Sequence, residues 1–213
     1  MKKGLLAVGV IFAGLIGVVV IALMWGVGKN NTMVQKSNAM DAQWAHVQNV
    51  YQRRTDLIPN LVNTVQGAAN FEKSTLQEVV NARASVGQVR VDPSKAPANP
   101  QDLQKFQAAQ DQLSSALSRL LVVVEKYPDL KANQSFLGLQ TQLEGTENRI
   151  SVERGKYNTT VQDYNTYIQQ FPNSLVASFR NFKTKPYFEA TAGSDRPPQV
   201  NFEFGKSPAA TNR

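Results

Sequence analysis

The chain has 213 residues, 23 Lys and Arg against 16 Asp and Glu, a formal net charge of +7, one histidine and no cysteine. Without cysteine there is no thiol nucleophile or thiolate metal site, and His46 alone makes no histidine pair for zinc; no Gly-x-Ser-x-Gly elbow or Gly-x-x-x-x-Gly-Lys phosphate loop occurs. The positive charge is dispersed, with Arg53-Arg54 the only basic pair beyond the N-terminus, which argues against a nucleic-acid surface and favours weak attraction to anionic lipid headgroups.

Gly4 to Gly28 carries no charge, with Lys2 and Lys3 before it and Lys29 after it. About 20 apolar residues at ~1.5 Å rise cross ~30 Å of hydrocarbon, so this run predicts a transmembrane anchor through residues 4–28 with the lipid bilayer as its partner. A cleaved secretory signal is the alternative. The run exceeds the ~7–15 residues of a signal core, and Ala22-Leu23-Met24-Trp25-Gly26 offers no small-residue cleavage site. Trp25 suits the membrane interface. Gly9, Ala13 and Gly17, at four-residue spacing, form a stripe along which two such helices approach closely. The lysine bias keeps residues 1–3 in the cytoplasm and places the bulk domain on the extracytoplasmic side of an inner or plasma membrane, by a margin of about one charge.

Beyond the anchor, a heptad-like seam runs through Met33, Ser37, Met40, Trp44, Val47, Tyr51, Arg54, Ile58, Leu61, Val65 and Ala68. Its register continues through Glu72, Thr75, Val79, Ala82 and Val86. Pro59 interrupts it, predicting either a kink near Thr55–Ile58 or a break with Pro59 opening a second helix capped by Thr55. Gly87 to Pro100, with three prolines, reads as a loop. Asn99, Pro100 and Asp102 then form a helix-start signal. The next seam is Leu103, Phe106, Gln110, Leu113, Leu117, Leu120 and Val124, stopping at Tyr127-Pro128. The last is Phe136, Leu139, Leu143, Ile150, Arg154, Tyr157, Val161, Tyr164, Ile168 and Phe171, closed by Pro172.

A short helix is expected over Ser174–Ser178, followed by an extended segment carrying Phe179, Phe182, Tyr187 and Phe188. These aromatics either lie back on the bundle or form a strip for a partner or membrane. Thr191 to Arg213 reads as a loosely ordered tail, in which Val200 to Phe204 alternates like a docking strand. The fold class is therefore all-α: an N-terminal transmembrane helix followed by an elongated antiparallel bundle of three to four long helices. The divisions are 1–3 (tail), 4–28 (anchor), 29–190 (bundle) and 191–213 (tail).

Charged residues on the seams are the unusual feature. Arg54 and Glu72 interrupt the first, and Glu147 and Arg154 sit on the last. An unpaired buried charge is costly, so these residues form an interhelical ion network that fixes register, a polar strip that binds a partner or a second copy, or an active site. Tyr157-Asn158 and Tyr164-Asn165 repeat at seven residues, which places them on one helix face. They read as core specification or as a lateral assembly face. Gly138 and Gly145 share that spacing and mark either close helix approach or local weakness.

Several of these blocks resemble the LemA family: Gln52-Arg53-Arg54-Thr55-Asp56-Leu57-Ile58-Pro59-Asn60-Leu61-Val62, then Tyr127-Pro128-Asp129-Leu130-Lys131-Ala132. The third runs from Glu147 through Ile150, Arg154, Tyr157-Asn158, Val161, Tyr164-Asn165 and Ile168 to Phe171-Pro172, and Tyr187-Phe188-Glu189-Ala190 resembles the closing block. The likeness spans about Met33 to Ala190. One departure is Gly67-Ala68-Ala69, where the family often carries an aromatic after the glycine. The resemblance implies a bacterial single-pass membrane protein with a helical-bundle domain and no established catalytic residues; from the residue inventory, no metal or cofactor is expected. The expected function is a membrane-anchored, non-catalytic scaffold or interaction protein of the bacterial envelope, acting through self-association (a homo-oligomer) or an envelope protein partner. The alternative is a monomeric adaptor that recruits its partner through Phe179–Phe204.

Overall fold

The computed structural model describes residues 2–68, 71–89 and 91–189, with side chains described from Val10 onward. Every regular element among them is helical, as the seams require: α1 Lys2–Gln66, α2 Lys73–Gln88, α3 Pro100–Val124, α4 Pro128–Lys131, α5 Gln134–Gln169 and α6 Asn173–Phe179. Gly26, Gly28 and the Asn30-Asn31-Thr32 run are weak helix formers at this junction, yet the helix continues through them to Met33 and beyond. The apolar run and the first bundle helix are thus one 65-residue α1, about 98 Å long at ~1.5 Å per residue.

The helix passes through Pro59 without interruption, so no second helix opens there. Thr55 does not cap; its hydroxyl donates back to the Tyr51 carbonyl at 3.1 Å. Proline has no N–H, so the Thr55 carbonyl loses its helical donor. Arg83 of α2 replaces it, donating Nε to the Thr55 oxygen at 3.4 Å.

The reversal comes instead after Gln66, which corrects the expectation of one register continuing to Val86. At Gly67 the helix winds down, with Ala68 N–H donating to the Val65 carbonyl at 3.1 Å. Phe71 then packs its ring 4.9 Å from Tyr127, so an aromatic pair does occupy this end of the bundle. Glu72 is exposed at the start of α2 rather than on a buried seam, while Thr75, Val79 and Ala82 turn inward against α3. A seam interrupted by a glycine turn keeps its period but changes neighbours, and periodicity alone does not register that.

The helix start predicted at Asn99 forms as expected. Asn99 Oδ1 accepts from Gln101 N–H at 3.0 Å, Pro100 occupies the first turn, and Asp102 lies at the positive end. All seven α3 seam residues from Leu103 to Val124 are buried. Asn133 caps α5 in the same way. On α5 the seam is buried from Phe136 to Ile168 at most positions, but Phe171 stands 81% exposed beyond the helix end. Gly138 and Gly145 have open space beside them, so they mediate no close helix approach.

The bundle half of α1 pairs most extensively with antiparallel α5, and α2 with antiparallel α3. The core falls into two clusters. One gathers Ile58, Leu61, Val65, Val79, Leu113, Leu120, Phe136 and Leu143 at the far end. The other gathers Met33, Met40, Trp44, Tyr51, Phe106, Ile150, Tyr157 and Tyr164 toward the anchor. Trp44 organises the second, with its ring 5.4 Å from Phe106 and 5.6 Å from Tyr157, and its indole N–H donating to the Asp92 carbonyl at 3.0 Å.

Candidate functional site: a buried polar layer and an asparagine-held strap

Arg54 occupies the level where the two core clusters meet. It is 2% exposed, and α3 and α5 converge on it. Its Nη1 donates to Ser114 Oγ at 2.8 Å and to Glu147 Oε2 at 2.8 Å. Its Nη2 donates to the Gln110 carbonyl at 3.2 Å and to the Gln110 side-chain oxygen. The Tyr51 ring lies 5.2 Å from the guanidinium carbon. A planar fork that meets three acceptor side chains and one carbonyl fits only one axial register of α1, α3 and α5. Glu147 is 57% exposed on its side chain, so water solvates the anionic end while the cation is buried. A surface cleft of about 290 Å³, lined in part by Arg54, Ser114, Leu121, Glu144 and Glu147, opens on this layer.

The other charged seam residues do not join Arg54. Glu72 faces Lys126 across an exposed 3.9 Å pair and accepts a 3.3 Å bond from Thr75. Arg154 bonds the Glu189 carbonyl at 2.7 Å and lies 4.8 Å from the Phe188 ring. Beside Arg154, Glu153 accepts from Lys156 at 2.8 Å and from Gln43 at 2.6 Å, and these bonds hold its carboxyl below the ordinary value.

The Tyr-Asn repeat has a division of labour that spacing alone did not reveal. Tyr157 and Tyr164 are buried in the core, at 0% and 2% exposure, and present no face to a neighbouring molecule. Burial pushes both phenols above their ordinary pKa, as it does that of Tyr51. The adjacent asparagines point at the extended segment after α6. Asn165 donates to the Lys185 carbonyl at 2.9 Å and accepts from Lys185 N–H at 2.8 Å. Asn158 does the same to Phe188, at 2.9 and 2.8 Å. Each primary amide thus offers a donor and an acceptor side by side, as a neighbouring β-strand would.

The spacings match physically. Seven helical residues rise about 10.5 Å, and three extended residues span about 10 Å. Residues 182–189 therefore form a strap that runs antiparallel to α5. Phe188 is inserted beside Trp44 and Tyr157, with ring centroids at 6.0 and 5.3 Å. Lys185 Nζ reaches the Ala96 carbonyl at 3.3 Å, and Gln107 joins Arg154 on the Glu189 carbonyl at 2.9 Å. Of the four aromatics expected to lie back on the bundle, Phe188 is buried and Phe182 partly so, while Tyr187 is 43% and Phe179 89% exposed. The missed signal was an extended aromatic segment paired with asparagines one heptad apart. The continuation to Phe204 lies outside the described residues.

In the anchor, Ala13 and Gly17 are exposed, with open space around Gly17; the surroundings of Gly9 lie outside the described residues. His46 is exposed on the polar face of α1, and among the described residues no group of three His, Cys, Asp or Glu has metal-binding geometry.

A family model described as the LemA family matches residues 43–202. Protein LemA of Metamycoplasma hominis is 25% identical over 165 residues, covering 78% of this chain and 71% of that protein. Magnetosome protein MamQ 2 of Paramagnetospirillum magneticum is 26% identical over 186 residues, covering 78% of this chain and 67% of that protein. Magnetosome protein MamQ of Magnetospirillum gryphiswaldense is 32% identical over 89 residues, covering 40% of this chain and 33% of that protein.

Proposed function

The chain belongs to the LemA family, and on that premise we propose that it is a membrane-anchored, non-catalytic interaction protein of the bacterial envelope. It works as a rigid standoff that associates with copies of itself or with another envelope protein. The observation that carries this reading is the continuity of α1. An apolar run of membrane-spanning length passes without a break into the helix that pairs with α5, so position in the membrane dictates position of the bundle. From Gly28 to Gln66 the helix extends about 57 Å. The buried chemistry supports the same role, since Arg54 and the two asparagines are occupied in holding helices and strap. The bulk domain lies on the extracytoplasmic side by the lysine bias.

The mass of the full chain in lipid nanodiscs, measured beside a chain beginning at Asn30, tests the association. The same defined oligomer in both places the contact on the rod. An oligomer in the full chain alone places it on the Gly9, Ala13 and Gly17 stripe. Two monomers defeat self-association.

A second reading has its own support. Arg154 and Gln107 both fix the carbonyl of Glu189, the last described residue, on the flank of the bundle. As an adaptor, the protein recruits a partner through the segment from Phe179 to Phe204. Deleting residues 191–213 then abolishes co-purification of that partner with the bundle still folded; unchanged co-purification excludes this reading.

A further inference from the structure

The exposed apolar residues of α6 stand beside the anchor. Leu175 and Phe179, one turn apart, are 62% and 89% exposed, and Phe171 just ahead of the helix is 81% exposed. Leu175, Val176 and Phe179 line an open groove of about 510 Å³ with Leu23, Gly26 and Val27 of α1. Arg180 ties the end of α6 to the anchor's exit, its Nε donating to Asn30 Oδ1 at 3.0 Å. Leu23 lies about 7–8 Å inside the end of the uncharged run, at ~1.5 Å per residue. The groove is therefore level with the zone where interfacial helices lie, about 5–10 Å into the boundary between headgroups and acyl chains.

Charge points the same way. Lys29, Lys36 and Arg180 lie on the elements that flank the groove, and α1 from Lys29 to Met40 and the chain from Tyr164 to Arg180 carry no carboxylate; Asp41 and Asp163, the first carboxylates along α1 and α5, lie further from the span. Lys29 and Lys36 both lie over the Tyr167 ring, at 5.8 and 5.6 Å, and Lys29 also over Trp25 at 5.7 Å. An apolar patch continuous with a lipid-facing span and flanked by Arg180, Lys29 and Lys36 matches the surface of a bilayer containing anionic lipid.

We propose that α6 is a second membrane contact. Phe171, Leu175 and Phe179 embed in the leaflet that α1 leaves, with anionic headgroups held by Lys29, Lys36 and Arg180. With two contacts, the bundle holds a fixed tilt and rotation about the anchor. This inference rests on residues 4–28 crossing the bilayer, so its test separates the two claims.

Because the chain has no cysteine, single labels are available: Leu175→Cys, Ile16→Cys within the span and Val122→Cys on the far bundle surface. Each full-length variant carries an environment-sensitive fluorophore in phosphatidylglycerol-containing vesicles and is challenged with nitroxide-labelled lipid and with aqueous iodide. At position 175 the proposal expects blue-shifted emission, quenching by shallow nitroxide and loss of iodide quenching, with position 122 the reverse. Lipid quenching at 16 but full iodide access at 175 overturns the proposal and leaves the anchor intact. Absence of lipid quenching at 16 overturns the anchor itself. Shielding from iodide at 175 without lipid quenching assigns the groove to a protein surface and also overturns the proposal.

Discussion

Replacing both asparagine amides, as Asn158→Ala with Asn165→Ala, deletes the four hydrogen bonds that hold residues 185 and 188 to α5. At a net ~0.5–1.5 kcal/mol each, the loss is about 2–6 kcal/mol. Phe188 still contributes about 1.5–3 kcal/mol of burial, Arg154 and Gln107 still reach the Glu189 carbonyl, and Lys185 Nζ and the Tyr157 hydroxyl keep single long bonds. Holding the strap extended costs ~1–2 kcal/mol of backbone entropy per residue, so what remains does not keep it closed. The two asparagines share one strap, and their effects couple rather than add. Native-state hydrogen exchange reads this directly. The Lys185 and Phe188 amides accelerate between about 30-fold and about 10⁴-fold, at 1.4 kcal/mol per tenfold. Amides of Leu61 and Leu143 in the far cluster keep their protection. Unchanged exchange at 185 and 188 refutes the ladder; equal acceleration in the far cluster refutes the claim that the strap opens as a local unit.

Three further outcomes follow from the same geometry. Arg54→Ala leaves Gln110 and Ser114 without their donor and costs about 3–5 kcal/mol in urea unfolding, whereas Glu147→Gln, at a half-exposed carboxylate, costs about 1 kcal/mol or less. Pro59→Ala restores a donor to the Thr55 carbonyl and stabilises the protein by up to ~3 kcal/mol, and in that background Arg83→Ala, which otherwise costs about 0.5–1.5 kcal/mol, becomes neutral; an unchanged Arg83 cost contradicts the substitution of one donor by the other. The phenols of Tyr51, Tyr157 and Tyr164 are raised by burial, so their neutral forms favour the fold. That stability is complete below the unfolded value of ~10 and is lost as pH rises toward the folded values. Phenolate absorbance from these three then appears only together with loss of helical circular dichroism; earlier ionisation contradicts their burial.

The helices and most of the core were legible because each depends on local chemistry. Gly4 to Gly28 is apolar for longer than a membrane is thick, and the α3 seam and its Asn99 cap are set within a few residues of chain. The errors arose where a distant residue decides the outcome. Pro59 signals a break, but Arg83, 28 residues away, satisfies the carbonyl that proline orphans. Gly67 is a helix-ending residue, but the apolar period running past it to Val86 hid the stop; α1 ends there, and Phe71 packs on Tyr127 across the bundle end. Arg54 was visible as a charge on a seam, and an interhelical network was one of its three readings; its partners Gln110 and Ser114 carry no charge and gave no signal. Asn158 and Asn165 were visible as a repeat, but their partner is backbone, which has no sequence signature.

The account depends above all on the anchor and the bundle being one straight body. Spin labels at Val20→Cys and Asn49→Cys, in the full chain in a bilayer, measure this by pulsed dipolar spectroscopy. Twenty-nine residues of unbroken helix predict a single narrow distance near 44 Å, at ~1.5 Å per residue. A broad or markedly shorter distribution would show a hinge between the span and the bundle, at Gly26 to Gly28, and would contradict the rigid standoff.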